Sequence, residues 1–211
     1  MEGAGLERGG SRMLGQLCVE EKMKKALCFI LLAAAAAFAQ QAPAPSANPV
    51  TDTVRGQLTR QSKILVATAE AMPADKYNFK PTPDNMTFGH LMQHILDSNN
   101  FLCSKISGQP APTNAAKDTD GKDKIVASVK DSMEYCNKAM ADVKDSQLGE
   151  QVEMFGGRKA PKAAAVIGLT NDWADHYGAA AIYLRLNGIL PPTAVMRQQQ
   201  QSQQKAAPEK K

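Results

Sequence analysis

The chain has 211 residues, a formal net charge of +4 at pH 7, 43% hydrophobic residues and only 5% aromatic residues. This length allows one ordinary domain with appendages. The small charge, with no basic stripe interleaved with aromatic residues, argues against a nucleic-acid partner and against binding to anionic membranes. The shortage of aromatic residues and the frequent Ala and Met favour close-packed helices over a β-sandwich.

The N-terminal region has the parts of a secretory signal peptide. A basic start at Met23-Lys24-Lys25 is followed by an apolar run that ends at Ala37-Phe38-Ala39, a small-residue cleavage site. The run is too short to span a membrane. Residues 23–39 are therefore predicted to be a signal peptide, and residues 1–22 an upstream extension from a misassigned start codon.

The signal peptide predicts export to the periplasm or to the extracellular medium. Cys28 lies within the apolar run but lacks the small residues that a lipoprotein cleavage site needs before its cysteine. The mature protein is thus expected to be soluble and not anchored to the membrane.

The first half of the mature chain predicts a linker and two helices. Residues 40–50 are rich in Ala and Pro and predict an extended linker. One helix is predicted from about Thr51 to Ala71, before Pro73, and another from about Thr87 to Ser107. Their stripe positions recur at helical spacing: Val54, Leu58, Leu65, Ala69 and Met72 in the first, and Phe88, Leu91, Ile95, Ser98, Leu102 and Ile106 in the second.

The second half predicts two more helices. A turn-rich loop precedes a third helix, from about Lys122 to Lys144, and a glycine-containing loop precedes a fourth, from about Pro161 to Gly188. The Gln- and Lys-rich residues 193–211 are expected to be a disordered tail. Four helices without a strand pattern predict an all-α, antiparallel four-helix bundle over residues 51–192. The third helix carries a bundle-type seam of Val126, Val129, Met133, Cys136, Met140 and Val143.

Two pairs of polar residues at helical spacing are candidates for a metal site. Asp172 and His176 project from one otherwise apolar face of the fourth helix, and His90 and His94 form a similar pair on the second. Imidazole nitrogens and a carboxylate are expected ligands for Zn²⁺, Ni²⁺, Fe²⁺ or Mn²⁺. Spacing alone also allows a structural interpretation, in which His90 faces solvent and the other two histidines are hydrogen-bonded core residues.

The segments TFGHLMQHILDSNNFLC (87–103) and DHYGAAAIYLRLNGILPP (175–192) carry a family resemblance. The chain from about Thr51 to Pro192 resembles the DinB-like superfamily of four-helix bundles, in its exported bacterial branch. Members of this family typically bind a divalent metal through one histidine on the second helix and two on the fourth. By position, the resemblance implies His94 and His176 as ligands, and places Asp172 where a third histidine is usual.

The replacement at Asp172 leaves two functions open. Two histidines and a carboxylate form a recognised open metal site, and His90 is an additional candidate ligand. The resemblance then implies a metal-dependent hydrolase or transferase acting on an unidentified small molecule, with no catalytic residue identified and no organic cofactor expected. Alternatively, the site is degenerate and the bundle is a non-catalytic binding or structural protein. Bundles of this type also often form homodimers.

The mature chain contains two cysteines, Cys103 and Cys136. An even number of cysteines in an exported protein favours a disulfide, which would tie the end of the second helix to the middle of the third. Two buried thiols are the alternative.

Overall fold

The computed structural model describes residues 45–113 and 115–206. The predicted upstream extension and signal peptide lie outside the described residues, as do the first residues of the linker and the last of the tail. Five α-helices are present in the described part: α1 (Pro49–Ala71), α2 (Phe88–Ser107), α3 (Lys122–Met140), α4 (Lys162–Leu186) and α5 (Pro192–Ala206). Two short strands, β1 (Gln151–Glu153) and β2 (Lys159–Pro161), pair as an antiparallel hairpin between α3 and α4.

Helices α1 to α4 form a four-helix bundle, and α2 and α3 are parallel neighbours within it. The Asn99 side chain in α2 donates to Ser132 in α3, and one turn further along both helices Cys103 is bonded to Cys136. The connection from Gly108 to Gly121 must therefore carry the chain back along the bundle before α3 begins. The disulfide joins two wholly buried cysteines whose Cα atoms are 5.2 Å apart.

Helix α4 packs against α2 in the opposite direction. His94 and Asn99 of α2 contact His176 and Trp173 of α4, so residues later in α2 meet residues earlier in α4. Helix α1 packs against α3 and α4 on the other side. The α2/α4 pair is the one that holds the candidate metal ligands.

The sequence carries a capping residue at each end of α2. The Thr87 hydroxyl accepts a hydrogen bond from the His90 N–H at 3.1 Å, the usual role of a threonine before the first helical residue. At the other end Gly108 adopts φ 73°, a left-handed conformation that glycine tolerates without strain, and its N–H bonds to the Ser104 carbonyl. These two signals set the limits of the helix that carries His94.

The apolar faces predicted from helical spacing form the core. Burying them removes apolar surface from water, and this is the main favourable contribution to the stability of such a bundle. Trp173 from α4 is among the largest fully buried side chains. The predicted stripe positions that are buried are Val54, Leu58, Leu65, Ala69, Met72, Phe88, Leu91, Ile95, Leu102, Ile106, Val126, Val129, Met133, Cys136, Met140 and Val143.

Two stretches differ from the expected organisation. The predicted loop between α3 and α4 contains the β1/β2 hairpin, because strands of three residues are too short to show an alternating pattern. The tail predicted to be disordered forms α5, with proline at its start and Ala, Gln, Arg and Lys, which favour helix, after it. Its first turn is held by Thr193, whose hydroxyl lies 2.6 Å from the Tyr177 hydroxyl.

In residues 45–113 and 115–206, no helix combines the length and apolar character needed to cross a bilayer.

Candidate metal centre

One histidine from α2 and two residues from α4 meet on the side of the bundle. His94, Asp172 and His176 each place one potential ligand atom so that the three atoms lie within 4.8 Å of one another. The two imidazole rings are 4.6 Å apart between centroids. The structure thus brings together the three residues that the sequence proposes as a metal site.

The His176 ring is oriented by its own helix. Its Nδ1 lies 2.8 Å from the backbone carbonyl oxygen of Asp172, one turn earlier, and 3.5 Å from the Asp172 carboxylate. A neutral imidazole that donates Nδ1–H to the carbonyl leaves Nε2 with a lone pair. Metal-ligating histidines are commonly oriented in this way, with the other ring nitrogen bound to a carbonyl or carboxylate.

The Asp172 carboxyl is buried without full compensation. Its side chain is 13% exposed, and its Oδ2 atom is buried with no hydrogen-bond partner. Burial raises the pKa of Asp172, while His176, the nearby Ser98 hydroxyl and His94 lower it in part. A buried carboxylate oxygen without a donor costs free energy, so this atom is suited to a cation.

The donor set fits a divalent transition metal. Two imidazoles and one carboxylate are ligands that Zn²⁺, Ni²⁺, Fe²⁺ and Mn²⁺ accept, and the unpartnered Asp172 Oδ2 supplies a negative oxygen. Ligands ~2.1 Å from a tetrahedral ion are about 3.4 Å apart. The ligand atoms lie within 4.8 Å of one another, so the longest separation needs to shorten by up to about 1.4 Å to hold one.

His90 does not join the cluster, which corrects its prediction as an additional ligand. Its Nδ1 lies 3.0 Å from Asp118 Oδ2, and both side chains are nearly half exposed. His90 is one helical turn before His94, but its side chain is directed toward the connection between α2 and α3. It therefore fits the structural interpretation of a solvent-facing residue near a helix start.

Two neighbours of the ligands, Ser98 and Asn99, were not identified as site residues from the sequence. Ser98 lies one turn after His94 and is close enough to Asp172 to lower its pKa. Asn99 accepts a hydrogen bond at 2.8 Å from the indole N–H of Trp173, the residue after Asp172. The sequence feature that could have pointed to Asn99 is the pair of asparagines, Asn99 and Asn100, in the middle of α2. Both of these residues are buried in the structure.

Comparisons with known proteins agree with this fold. A DinB-like protein of Bacillus cereus ATCC 10987 superposes with a TM-score of 0.57 at 16% identity, covering 67% of this chain and 95% of that one. A DinB-like protein of Bacillus subtilis superposes with a TM-score of 0.53 at 20% identity, covering 64% of this chain and 92% of that one. These likenesses show the fold. No curated protein gives a significant match.

The sequence profile of the DinB superfamily matches residues 57–179, which include most of α1, all of α2 and α3 and the three clustered ligands. This match covers more than half of the chain, and the chain belongs to the DinB superfamily.

Proposed function

We propose that this protein is an exported, divalent-metal-binding member of its family, whose metal centre serves a hydrolase or transferase reaction. The ligands are His94, Asp172 and His176. The observation that carries the proposal is the buried, unpartnered Oδ2 of Asp172 beside two imidazoles, one of them already oriented by a backbone carbonyl. Most buried side-chain oxygens in proteins have a donor. In the described part of the chain, others without one are Gln61 Oε1, Ser62 Oγ and Asn100 Oδ1, but only Asp172 places such an atom in a cluster with two imidazoles.

Each ligand has a distinct task in the centre. Asp172 supplies negative charge from the buried side, and His176 supplies Nε2 while its Nδ1 is held by the Asp172 carbonyl. His94, on α2, is more open to solvent and closes the site from the neighbouring helix. A metal ion held by three protein ligands polarises carbonyl or phosphoryl oxygens and lowers the pKa of bound water to about 7.

Metal binding is tested by equilibrium dialysis of the mature protein against Zn²⁺ and Ni²⁺, followed by elemental analysis. We expect close to one ion per chain in the wild type and a large loss of affinity in His94→Ala and in Asp172→Ala. His90→Ala is the matched control, because it removes a histidine one turn away that pairs with Asp118. A wild-type stoichiometry near zero overturns the proposal.

The alternative, a non-catalytic bundle with a degenerate site, has one observation in its favour. The separations of up to 4.8 Å among the ligand atoms are wider than a bound ion permits, and the Asp172 side chain is shorter than the histidine usual there. Metal binding by the Asp172→His variant distinguishes the metal-dependent enzyme from the non-catalytic bundle. If the wild type binds no metal and this variant does, the bundle has kept the fold and lost the site.

The reaction class is tested separately from metal binding. Metal-loaded wild type is assayed against nitrophenyl carboxylic esters and phosphate esters, and against an electrophile with a low-molecular-weight thiol as acceptor. Turnover that disappears in His94→Ala and persists in His90→Ala supports an enzyme. A protein that binds metal tightly and turns over none of these substrates favours a binding role.

Export rests on the basic start, apolar run and cleavage site of residues 23–39. Mass spectrometry of the protein recovered from the native host is the test. We expect the mature N-terminus to follow Ala39 closely. A mature protein that begins before Met23 contradicts both the predicted start codon and the signal peptide.

A further inference from the structure

The side chain of Asn99 links three helices directly behind the candidate metal centre. It is fully buried in α2, its amide oxygen accepts from Trp173 Nε1 at 2.8 Å, and its amide nitrogen donates to Ser132 Oγ at 3.1 Å. The Ser132 hydroxyl in turn donates to the Val129 carbonyl. A buried amide bonded on both sides holds a fixed orientation, because breaking either bond leaves a polar group without a partner.

The link to α4 is immediately adjacent to the ligands in sequence. Asn99 follows Ser98, which lies beside the Asp172 carboxyl, and Trp173 follows Asp172. Across the antiparallel α2/α4 pair, the Asn99–Trp173 bond and the His94–His176 contact lie roughly one helical turn apart. The hydrogen bond therefore constrains the rotation and the axial position of α4 at the height where its two ligands must face His94.

Apolar packing fixes this register less tightly than a directional hydrogen bond does. Several α4 residues near the site are small. Gly168 lies opposite Leu102 of α2, where an added Cβ would be 3.7 Å from the leucine side chain. Gly178, Ala179 and Ala180 lie within four residues of His176. Small side chains allow close approach, but they make few interlocking contacts that would oppose a slide or rotation. The rigid indole of Trp173, held at its N–H, supplies the directional restraint.

We propose that Asn99 is a positioning residue for the metal centre: through Trp173 it sets α4 against α2 so that Asp172 and His176 converge on His94. This inference rests on the proposed metal-binding function, but the convergence of the two histidine rings is a property of the metal-free protein as well. Residues that orient metal ligands without touching the ion typically contribute ~10–100-fold to metal affinity.

The test compares Asn99→Leu with Ser132→Ala, each confirmed to be folded by circular dichroism. Asn99→Leu removes the bond to α4, whereas Ser132→Ala removes only the bond to α3 and leaves the Asn99–Trp173 bond in place. The first readout is the nuclear Overhauser contact between the His94 and His176 rings in metal-free protein. The second is Co²⁺ affinity together with the Co²⁺ absorption spectrum, which reports the coordination geometry.

We expect Asn99→Leu to lose the ring contact, to bind Co²⁺ ~10–100-fold more weakly and to show a changed spectrum, while Ser132→Ala, which keeps the bond to α4, changes all three much less. Trp173→Phe, which keeps the aromatic packing and removes the donor, should reproduce the effect if Asn99→Leu fails to fold. The proposal is overturned if both measurements stay at wild-type level in Asn99→Leu, or if Ser132→Ala loses as much. A wild type that shows the ring contact but binds no Co²⁺ refutes the metal function alone, and the ring contacts of the variants still decide the role of Asn99.

Discussion

The Nδ1 atom of His176 lies 2.8 Å from the backbone carbonyl oxygen of Asp172 and 3.5 Å from its carboxylate. The imidazole thus bonds to the main chain of the residue whose side chain it faces, and Oδ2 of the Asp172 carboxylate is left without a hydrogen-bond partner. A site arranged in this way is incomplete as a salt bridge and suited to a cation. It follows that the metal-free protein is destabilised at Asp172.

The first prediction is that Asp172→Asn stabilises the metal-free protein at pH 7 by about 1 kcal/mol, the scale of one buried unpaired polar group. Burial raises the pKa of Asp172 above its usual 3.8, so the folded state binds a proton more tightly there than the unfolded state does. This contribution favours the folded state below pH 3.8 and is lost as the pH rises through the raised pKa.

Urea unfolding in EDTA from pH 3 to pH 7 measures this effect as the difference between wild type and Asp172→Asn. The variant should gain stability relative to wild type as the pH rises, and excess Zn²⁺ should reverse the order at pH 7, since only the wild type has the full ligand set. A difference that does not change with pH would mean that Asp172 has its ordinary pKa in the fold.

The second prediction concerns the disulfide. Cys103–Cys136 closes a loop across a sequence separation of 33, so removing it should cost ~3–4 kcal/mol in the chain-entropy model. For a domain of this size that cost corresponds to a fall in Tm of ~10 °C. Differential scanning calorimetry of Cys103→Ala/Cys136→Ala against oxidised wild type measures it.

Thiol titration of denatured, unreduced protein checks the same bond chemically. We expect no reactive thiol from these two cysteines in protein purified from an oxidising compartment. Two titratable thiols per mature chain would show that the sulfur atoms are close but unbonded in the protein as it is made.

The third prediction is a gradient of order along α5. Its start is held by specific contacts: Pro191 and Pro192 are buried, and the Tyr177 hydroxyl is bonded to the Thr193 hydroxyl and N–H. The helix also packs against α1. From Gln198 to Lys205 every side chain is exposed. Hydrogen exchange should therefore show protection in the first turn of α5 and fast exchange beyond it.

Tyr177→Phe should remove the protection of that first turn. Tyr135→Phe is its control, because it deletes another tyrosine hydroxyl bond, to the Gln109 carbonyl, without touching α5. Strong protection as far as Gln203 would instead show that contacts other than those at Tyr177 hold the helix.

Helical periodicity predicted the bundle and the ligand cluster because both follow from positions on a helix face. The stripe from Val126 to Val143 and the pair Asp172/His176 needed only the spacing of residues in an α-helix. His94 and His90 could not be separated in the same way, because they lie one turn apart. What distinguishes them is the partner Asp118, 28 positions from His90, and pairings over that distance are not encoded in local spacing.

The same limit explains why α5 and Asn99 were missed. Composition describes the tail as polar, but the hydroxyl of Tyr177, 16 positions earlier, fixes its first turn. Asn99 looks like a polar interruption in α2, and its importance depends on Trp173 and Ser132 from two other helices. Residues whose role lies in contacts between helices are the ones that a single sequence does not identify.

The last prediction concerns Asp145, which caps α1 from a distant part of the chain. Its carboxylate accepts the N–H groups of Val50 and Thr51 at 3.0 and 2.9 Å and also the Thr51 hydroxyl, while its own N–H donates to Asn48 Oδ1. Partial burial opposes the charged form, but these donors outweigh it and hold the pKa of Asp145 below its usual value. A carboxylate at the start of a helix also interacts favourably with the helix dipole.

The contribution of Asp145 to stability changes with pH in the opposite direction to that of Asp172. The stabilisation from Asp145 is present above pH 3.8, its unfolded value, and is lost as the pH falls through the lowered folded pKa. Asp145→Ala should lower Tm at pH 7 by a few degrees, with a smaller deficit as the pH falls below 4, because the wild-type carboxylate is then protonated.

Asp142→Ala is the matched control, since it removes an exposed carboxylate three residues earlier on the same connection. Asp142→Ala should leave Tm nearly unchanged both at pH 7 and below pH 4. Hydrogen exchange localises the effect: the amides of Val50 and Thr51 should exchange faster in Asp145→Ala and not in Asp142→Ala. Equal losses in the two variants would assign the effect to the net charge at this end of the bundle, and unchanged exchange at Val50 and Thr51 would exclude Asp145 as the cap of α1.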